Sequence, residues 1–151
     1  MPIRVAEPKD WKALAQMRAL LWPESSYEEH LAELEAGPAA FCQPDFPMER
    51  LVAEDESGAL TGFLEVGLRS HADGCDTRQP VGYVEGWFVH EEHREKGIGA
   101  ALLRAAEDWA RAHGCVEMAS DALIDNALSQ TAHTALGFEI TDRCVLFRKK
   151  L

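Results

Sequence analysis

Val89-His90-Glu91-Glu92-His93-Arg94-Glu95-Lys96-Gly97-Ile98-Gly99-Ala100 joins two unlike periodicities, and its reading decides the fold. Before it, the apolar stretch Val81 to Val89 reads as a strand. After it, Ile98, Ala101, Leu102, Ala105, Ala106, Trp109 and Ala110 step by three and four along one face, which predicts a helix over 98–112. Arg104 with Asp108 and Glu107 with Arg111 would pair at i, i+4 on its polar face, and Gly114 suits its end. Cys115 to Ser120 then reads as another strand. A strand, crossover helix and strand imply a parallel pair, so the architecture is mixed α/β. Glycines in the connecting loop allow close approach of a ligand. The first helical amides lack intrahelical acceptors and sit at the positive end of the helix dipole, where they can bind a pyrophosphate. Glycines also simply make turns. The loop lacks both G-x-x-x-x-G-K-[ST] and G-x-G-x-x-G, which disfavours ATP and NAD.

Working outward toward the N-terminus, Ile3 and Val5 alternate with polar neighbours as a short strand. Trp11, Leu14, Met17 and Leu21 then share a helical face that Pro23 ends. Ser25 and Ser26, with Glu28 and Glu29 three residues on, offer caps for a second helix closed by Gly37-Pro38. Leu51 to Glu54 and Leu60 to Leu68 form a hairpin around Glu56-Ser57-Gly58. Residues 69–80 have no apolar period and read as a loop. Toward the C-terminus, Ala127 to Leu136 predicts a helix and Phe138 to Arg148 a final strand. Residues 1–151 are expected to form one domain.

The chain carries 15 basic and 26 acidic residues, a formal charge of −11, which repels a phosphate backbone and makes nucleic acid an unfavoured partner. The same charge would attract a polycation. No apolar run is long enough to span a membrane and no signal peptide opens the chain, so a cytoplasmic protein is expected. Cys42, Cys75, Cys115 and Cys144 are widely spaced and suggest neither zinc site nor disulfide framework. The two histidines of His90-Glu91-Glu92-His93 are three apart in a turn, where the zinc motif needs a spacing of four on a helix, so no metal is expected.

Three residues stand out by placement. Glu85 lies in an otherwise apolar strand, where a carboxylate is expensive unless it is paired, opens on a cleft or has a function. Asp121 directly follows a strand at its carboxyl end, where ligands gather in open α/β sheets; capping a turn is the alternative. Trp22, beside Pro23, is either a packing residue or a flat face for a sugar or an ammonium.

The strand ending Phe88-Val89, the segment Arg94-x-x-Gly97-x-Gly99, and Asn126 followed by Ala135-Leu136-Gly137-Phe138 resemble the GNAT superfamily of N-acetyltransferases. Leu21-Trp22-Pro23, Gly74-Cys75-Asp76, Glu85-Gly86-x-Phe88-Val89, Met118-Ala119-Ser120-Asp121, Ser129-Gln130 with His133, and Phe147-Arg148-Lys149 are similar to its aminoglycoside 6'-N-acetyltransferases of the bacterial chromosomal type. The resemblance implies a GNAT fold, a mixed central sheet with splayed parallel strands flanked by helices. It implies acetyl-coenzyme A as cosubstrate, its pantetheine arm against Phe88 and Val89 and its pyrophosphate on Arg94, Glu95, Lys96, Gly97, Ile98, Gly99 and Ala100, with Asn126 nearby. Trp22, Glu85 and Asp121 would line an aminoglycoside pocket, with both carboxylates positioning the amine and accepting its proton. The product would be an antibiotic inactivated by acetylation, and the assembly a homodimer. His133 stands where many members carry a tyrosine that protonates the departing thiolate; a structural role for it is expected here. A polyamine, small amine or protein amine as acceptor, and a non-catalytic acyl-coenzyme A binding module, remain open from the residues alone.

Overall fold

The computed structural model describes residues 2–37 and 46–151; Pro38, expected to close the second helix, and Cys42 lie outside them. Five strands form one sheet in the order β1 (Ile3–Val5), β2 (Met48–Glu54), β3 (Leu60–Arg69), β4 (Val81–Val89) and β5 (Met118–Ser120). The first four pair antiparallel, and β5 runs parallel to β4. The helices are α1 (Trp11–Leu21), α2 (Tyr27–Ala36), α3 (Ile98–Ala112) and α4 (Ala127–Ala135).

Local chemistry accounts for the boundaries. Ser26 caps α2 by accepting from the Glu29 amide at 3.1 Å, while Glu29 accepts in return from the Ser26 amide at 3.3 Å. In the β2–β3 turn, Asp55 Oδ1 accepts from the amides of Ser57 and Ala59, and Gly58 takes φ 85°. On α3, Arg111 pairs with both Glu107 and Asp108, so Asp108 takes that partner and not the predicted Arg104.

The sheet separates two cores. On one face α3 packs through Ile98, Leu102, Leu103 and Ala106 onto Leu51, Ala53, Leu64, Val66 and Val84. On the other, Leu14, Ala15 and Met17 of α1 and Leu34 of α2 cover Val52 and Phe63. Two charged groups enter that second face. Arg18 is buried beside Glu65, which also faces Arg50 at 3.4 Å; burial pushes the Glu65 carboxyl up, against the pull of both arginines.

Two strand expectations need correction. β5 begins at Met118 and not at Cys115, because the Cys115 amide instead closes the end of α3 on the Ala110 carbonyl at 3.0 Å. The strand expected over Phe138 to Arg148 is absent: residues 138–151 join no sheet among the described residues. Thr141 packs on Gly74, and from Asp142 onward the segment is exposed, with Leu146 at 89% and Phe147 at 93%. A strand-like sequence marks a segment able to pair, but an edge must lie beside it, and among the described residues none does.

Candidate active site

The β4–β5 ladder has three rungs, Gly82 with Met118, Tyr83 with Ala119 and Val84 with Ser120, and stops there. Beyond it β5 has ended at Ser120 while β4 runs on to Val89, so among the described residues the last five residues of β4 have no strand beside them on that side. At the same point the β3–β4 register slips. Val66 faces Val84 and Glu65 faces Gly86, so Glu85 is a bulge residue with no partner. The slip reverses the side-chain phase of β4. Val84 and then Trp87 and Val89 pack toward α3, whereas Phe88 joins the α1 core and Gly86 lies beneath Trp22.

Trp22 caps the C-terminus of α1. A Cβ on Gly86 would lie 2.5 Å from its ring, so only glycine admits the indole here. Phe63 meets the ring edge-on with centroids 6.2 Å apart, and the Arg18 guanidinium stands 5.3 Å from its centroid.

The two predicted carboxylates belong to one cluster. Tyr83 donates its hydroxyl to Asp121 Oδ2 at 2.6 Å. Over the Tyr83 ring, 3.5 Å from its centroid, lies the guanidinium of Arg69, which donates through Nε (2.9 Å) and Nη2 (2.7 Å) to the two oxygens of Glu85. Burial, and then the bond to Asp121, push the Tyr83 phenol above its ordinary range, so it stays a neutral donor. Glu85 is partly exposed and Asp121 exposed. A cleft of about 570 Å³, lined by Arg18, Glu65, Arg69, His71 and Glu85 among others, opens beside them. Tyr83 and Arg69 were missed in the sequence, although alternation from Glu85 does point to Tyr83.

At the other end of β4 the predicted loop is built around α3. His90 leads into a short 3₁₀ turn, Glu95 takes φ 61°, and Gly97 caps α3 at φ 81°. Ala101 is the first amide to reach back, to Gly97 O at 3.0 Å, so the amides of Ile98, Gly99 and Ala100 precede the helical ladder. A Cβ on Gly97 would meet nothing within 4 Å, whereas one on Gly99 would touch Trp87 at 3.4 Å. Gly99 therefore serves packing, and Gly97 fronts open space. The side chains of Arg94 and Lys96 fold back onto the carbonyls of Val89 (2.9 Å) and Glu92 (3.0 Å). Such a loop can hold an anion on backbone donors.

Asn126 caps α4, accepting from the Ser129 amide at 3.1 Å. His133 is pinned at both nitrogens: Nδ1 donates to the Ser129 carbonyl at 2.7 Å, and Nε2 lies 2.7 Å from the Ser120 hydroxyl. Trp87 and Phe138 meet its ring edge-on, each with centroids 5.1 Å away. Glu91, Glu92 and His93 form the 3₁₀ turn with His90 as its cap, and no metal-holding group of three or more ligating side chains occurs among the described residues.

Comparison with known proteins agrees with this geometry. The family model described as Acetyltransferase (GNAT) family matches residues 11–138. The chain is 38% identical over 152 residues to an aminoglycoside N(6')-acetyltransferase type 1 of Klebsiella aerogenes, covering 99% of this chain and 96% of that protein. Among solved structures, the apo aminoglycoside 6'-N-acetyltransferase AAC(6')-IG from Acinetobacter haemolyticus superposes with a TM-score of 0.86 at 33% identity, over 100% of this chain and 99% of that one. AAC(6')-Iy in complex with the bisubstrate analogue CoA-S-monomethyl-acetylneamine gives 0.86 at 33%, over 99% and 98%. With a family match that runs from the first residue of α1 to Phe138, and so takes in β4, β5 and the glycine loop, the chain belongs to the GNAT family of acetyltransferases.

Proposed function

We propose that this protein transfers an acetyl group from acetyl-coenzyme A to the 6'-amino group of an aminoglycoside, by direct attack within a ternary complex, and thereby confers resistance. The observation that carries the reading is the stretch of β4 that runs on past the end of β5, between a loop able to hold an anion at one end and a carboxylate cluster at the other. Relatives and solved neighbours with aminoglycoside acetyltransferase names support the acceptor class.

Acetyl-coenzyme A supplies an acyl group already activated as a thioester. The amides of Ile98, Gly99 and Ala100 fit a pyrophosphate, since Gly97 leaves the approach open. Arg94 to Ala100, Phe88, Val89 and Asn126 are the residues assigned to this cosubstrate. Glu85 and Asp121 hold ammonium groups of the acceptor, and Trp22 covers a sugar face. An ammonium has an ordinary pKa of about 10.4, and nearby carboxylates raise it. The two carboxylates therefore work by positioning the amine and by taking its proton as the nitrogen attacks, directly or through water. Solvent supplies the proton that the leaving sulfur needs, because both nitrogens of His133 are committed.

Thiol release from acetyl-coenzyme A with kanamycin, spermidine and a lysine peptide tests the assignment. Turnover of kanamycin far above the other two is expected. Preference for spermidine or the peptide would overturn the acceptor, and no thiol release with any amine would overturn the enzyme.

A homodimer is part of the proposal. Among the described residues the outer edge of β5 has no neighbour, and residues 142–151 expose the consecutive apolar side chains Val145, Leu146 and Phe147. Laying that segment against a second copy would satisfy both. Deleting residues 142–151 should convert the dimer to a monomer in sedimentation; a monomeric full chain would refute it.

A further inference from the structure

We propose that Arg69 is a resident cation in the acceptor's carboxylate site, and that a polycationic acceptor binds by taking its place on Glu85. The inference rests on the acceptor assignment above and deepens it. Arg69 ends β3, and its guanidinium satisfies both Glu85 oxygens while its central carbon stands over the Tyr83 ring, 3.5 Å from the centroid. It thus occupies the position a bound ammonium would need: bonded to one carboxylate, stacked on an aromatic face, and one hydroxyl away from Asp121.

Charge bookkeeping supports this reading. The chain carries a formal −11, yet Glu85 is already neutralised by Arg69, so in the free enzyme Asp121 is the carboxylate of the pair with no arginine on it. The Arg69 side chain is 44% exposed and leads into the 70–80 loop, so it can leave the cleft for water without unfolding the sheet. An exposed bidentate pair stacked on one ring is also weak enough to be displaced. An acceptor with two or more ammonium groups engages Asp121 first and competes for Glu85 from within the site. A monoamine engages Asp121 and leaves Arg69 where it is. Arg69 therefore determines specificity by charge count, and its cost falls on acceptors that use both carboxylates.

The exchange makes Glu85 and Arg69 non-additive. Glu85→Gln removes an anchor and also frees the site from its competitor, so its effect in the wild type is small. Arg69→Met keeps an unbranched apolar side chain without the charge and should tighten kanamycin by about tenfold, the scale of an exposed bidentate pair plus a cation–π contact. In the Arg69→Met background, Glu85→Gln should then weaken kanamycin by at least about tenfold more than it does alone. Mere long-range repulsion by Arg69 would leave the two effects additive.

Isothermal titration of kanamycin into wild type, Arg69→Met, Glu85→Gln and the double variant closes the cycle, with coenzyme A affinity as the control for folding. Arg69→Lys, which keeps the charge but loses the fork, should fall between wild type and Arg69→Met. The Arg69 Nε–H signal in ¹H–¹⁵N spectra should move to its free position on saturation with kanamycin. Additive effects, or an Nε–H signal unmoved at saturation, overturn the exchange while leaving the acceptor assignment intact. If wild type binds no kanamycin, the acceptor assignment falls and this inference with it.

Discussion

Gly97→Val tests the anion-holding loop, and the structure supplies its own control. Gly97 caps α3 at φ 81°, and Gly58 sits in the β2–β3 turn at φ 85°; a Cβ at either meets nothing within 4 Å. Valine at each position is strained by the same left-handed backbone, at a cost of roughly 1–2 kcal/mol or somewhat more for a branched side chain. For a chain of this size, 1 kcal/mol moves Tm by about 2–4 °C, so both variants should melt only a few degrees early. They should part on the cosubstrate. Gly58 is not among the residues assigned to the cosubstrate, whereas at Gly97 the branched side chain enters the space that a pyrophosphate must share with the amides of Ile98 to Ala100. Losing one charge-assisted hydrogen bond costs about 1.5–3 kcal/mol, or about one to two powers of ten in affinity. KM for acetyl-coenzyme A, by thiol release, should rise by that factor in Gly97→Val and stay at the wild-type value in Gly58→Val. The acceptor KM should change little in both. A folded Gly97→Val that binds coenzyme A normally would remove this loop from the site.

His133→Asn should leave turnover within a fewfold of wild type, because both imidazole nitrogens hold α4 to its surroundings, whereas a general acid is worth about a hundredfold or more; a larger loss in a stable variant would reassign it. Gly86→Ala puts a Cβ 2.5 Å from the Trp22 ring and should raise the acceptor KM while sparing that for acetyl-coenzyme A, as steady-state kinetics would read. Asp10 accepts two hydrogen bonds from Arg4, at 2.7 and 2.9 Å, which hold its carboxyl below the usual value of 3.8. A depressed folded pKa gives stability that is present above the unfolded value and lost as pH falls through the folded one. Arg4 keeps Glu54 as a partner, so Asp10→Ala should cost about 1.5–3 kcal/mol at pH 7 in urea unfolding, the scale of hydrogen bonds to a charged group, and its deficit should shrink below about pH 4; a deficit constant with pH would refute the pairing.

Much of the fold was legible because it rests on short-range signals. The bounds of β4 and α3 follow from apolar periodicity alone, and Ser26 with Glu29 announces α2. The final strand misled because its partner edge is a long-range matter. In the site, Glu85 was found through its cost in an apolar strand, and the same reasoning applies to Glu65, which the structure instead buries between Arg18 and Arg50. Composition cannot separate these two carboxylates; their neighbours do. Arg69 carried no signal, since a cation at a strand end looks like any solvated one. Nor did the register slip at Glu85, which depends on how β3 pairs and yet decides which core receives Trp87 and which Phe88.

The three rungs joining β4 to β5 act as the root of a two-pronged fork. At that root a Cβ on Gly82 would lie 2.8 Å from both Ala110 Cβ and Met118 Sδ, so helix and strands meet there with no room to spare. A tool with a closed root has a gap set by the angle of its prongs and not by what is pushed between them. Any give on loading would then fall on the last residues of β4 and the exposed chain after Ser120. A side chain larger than glycine at 82 would act as a shim at the root. Because Tyr83 is the next rung and bonds Asp121, such a shim would displace the acceptor's carboxylate cluster without itself entering it.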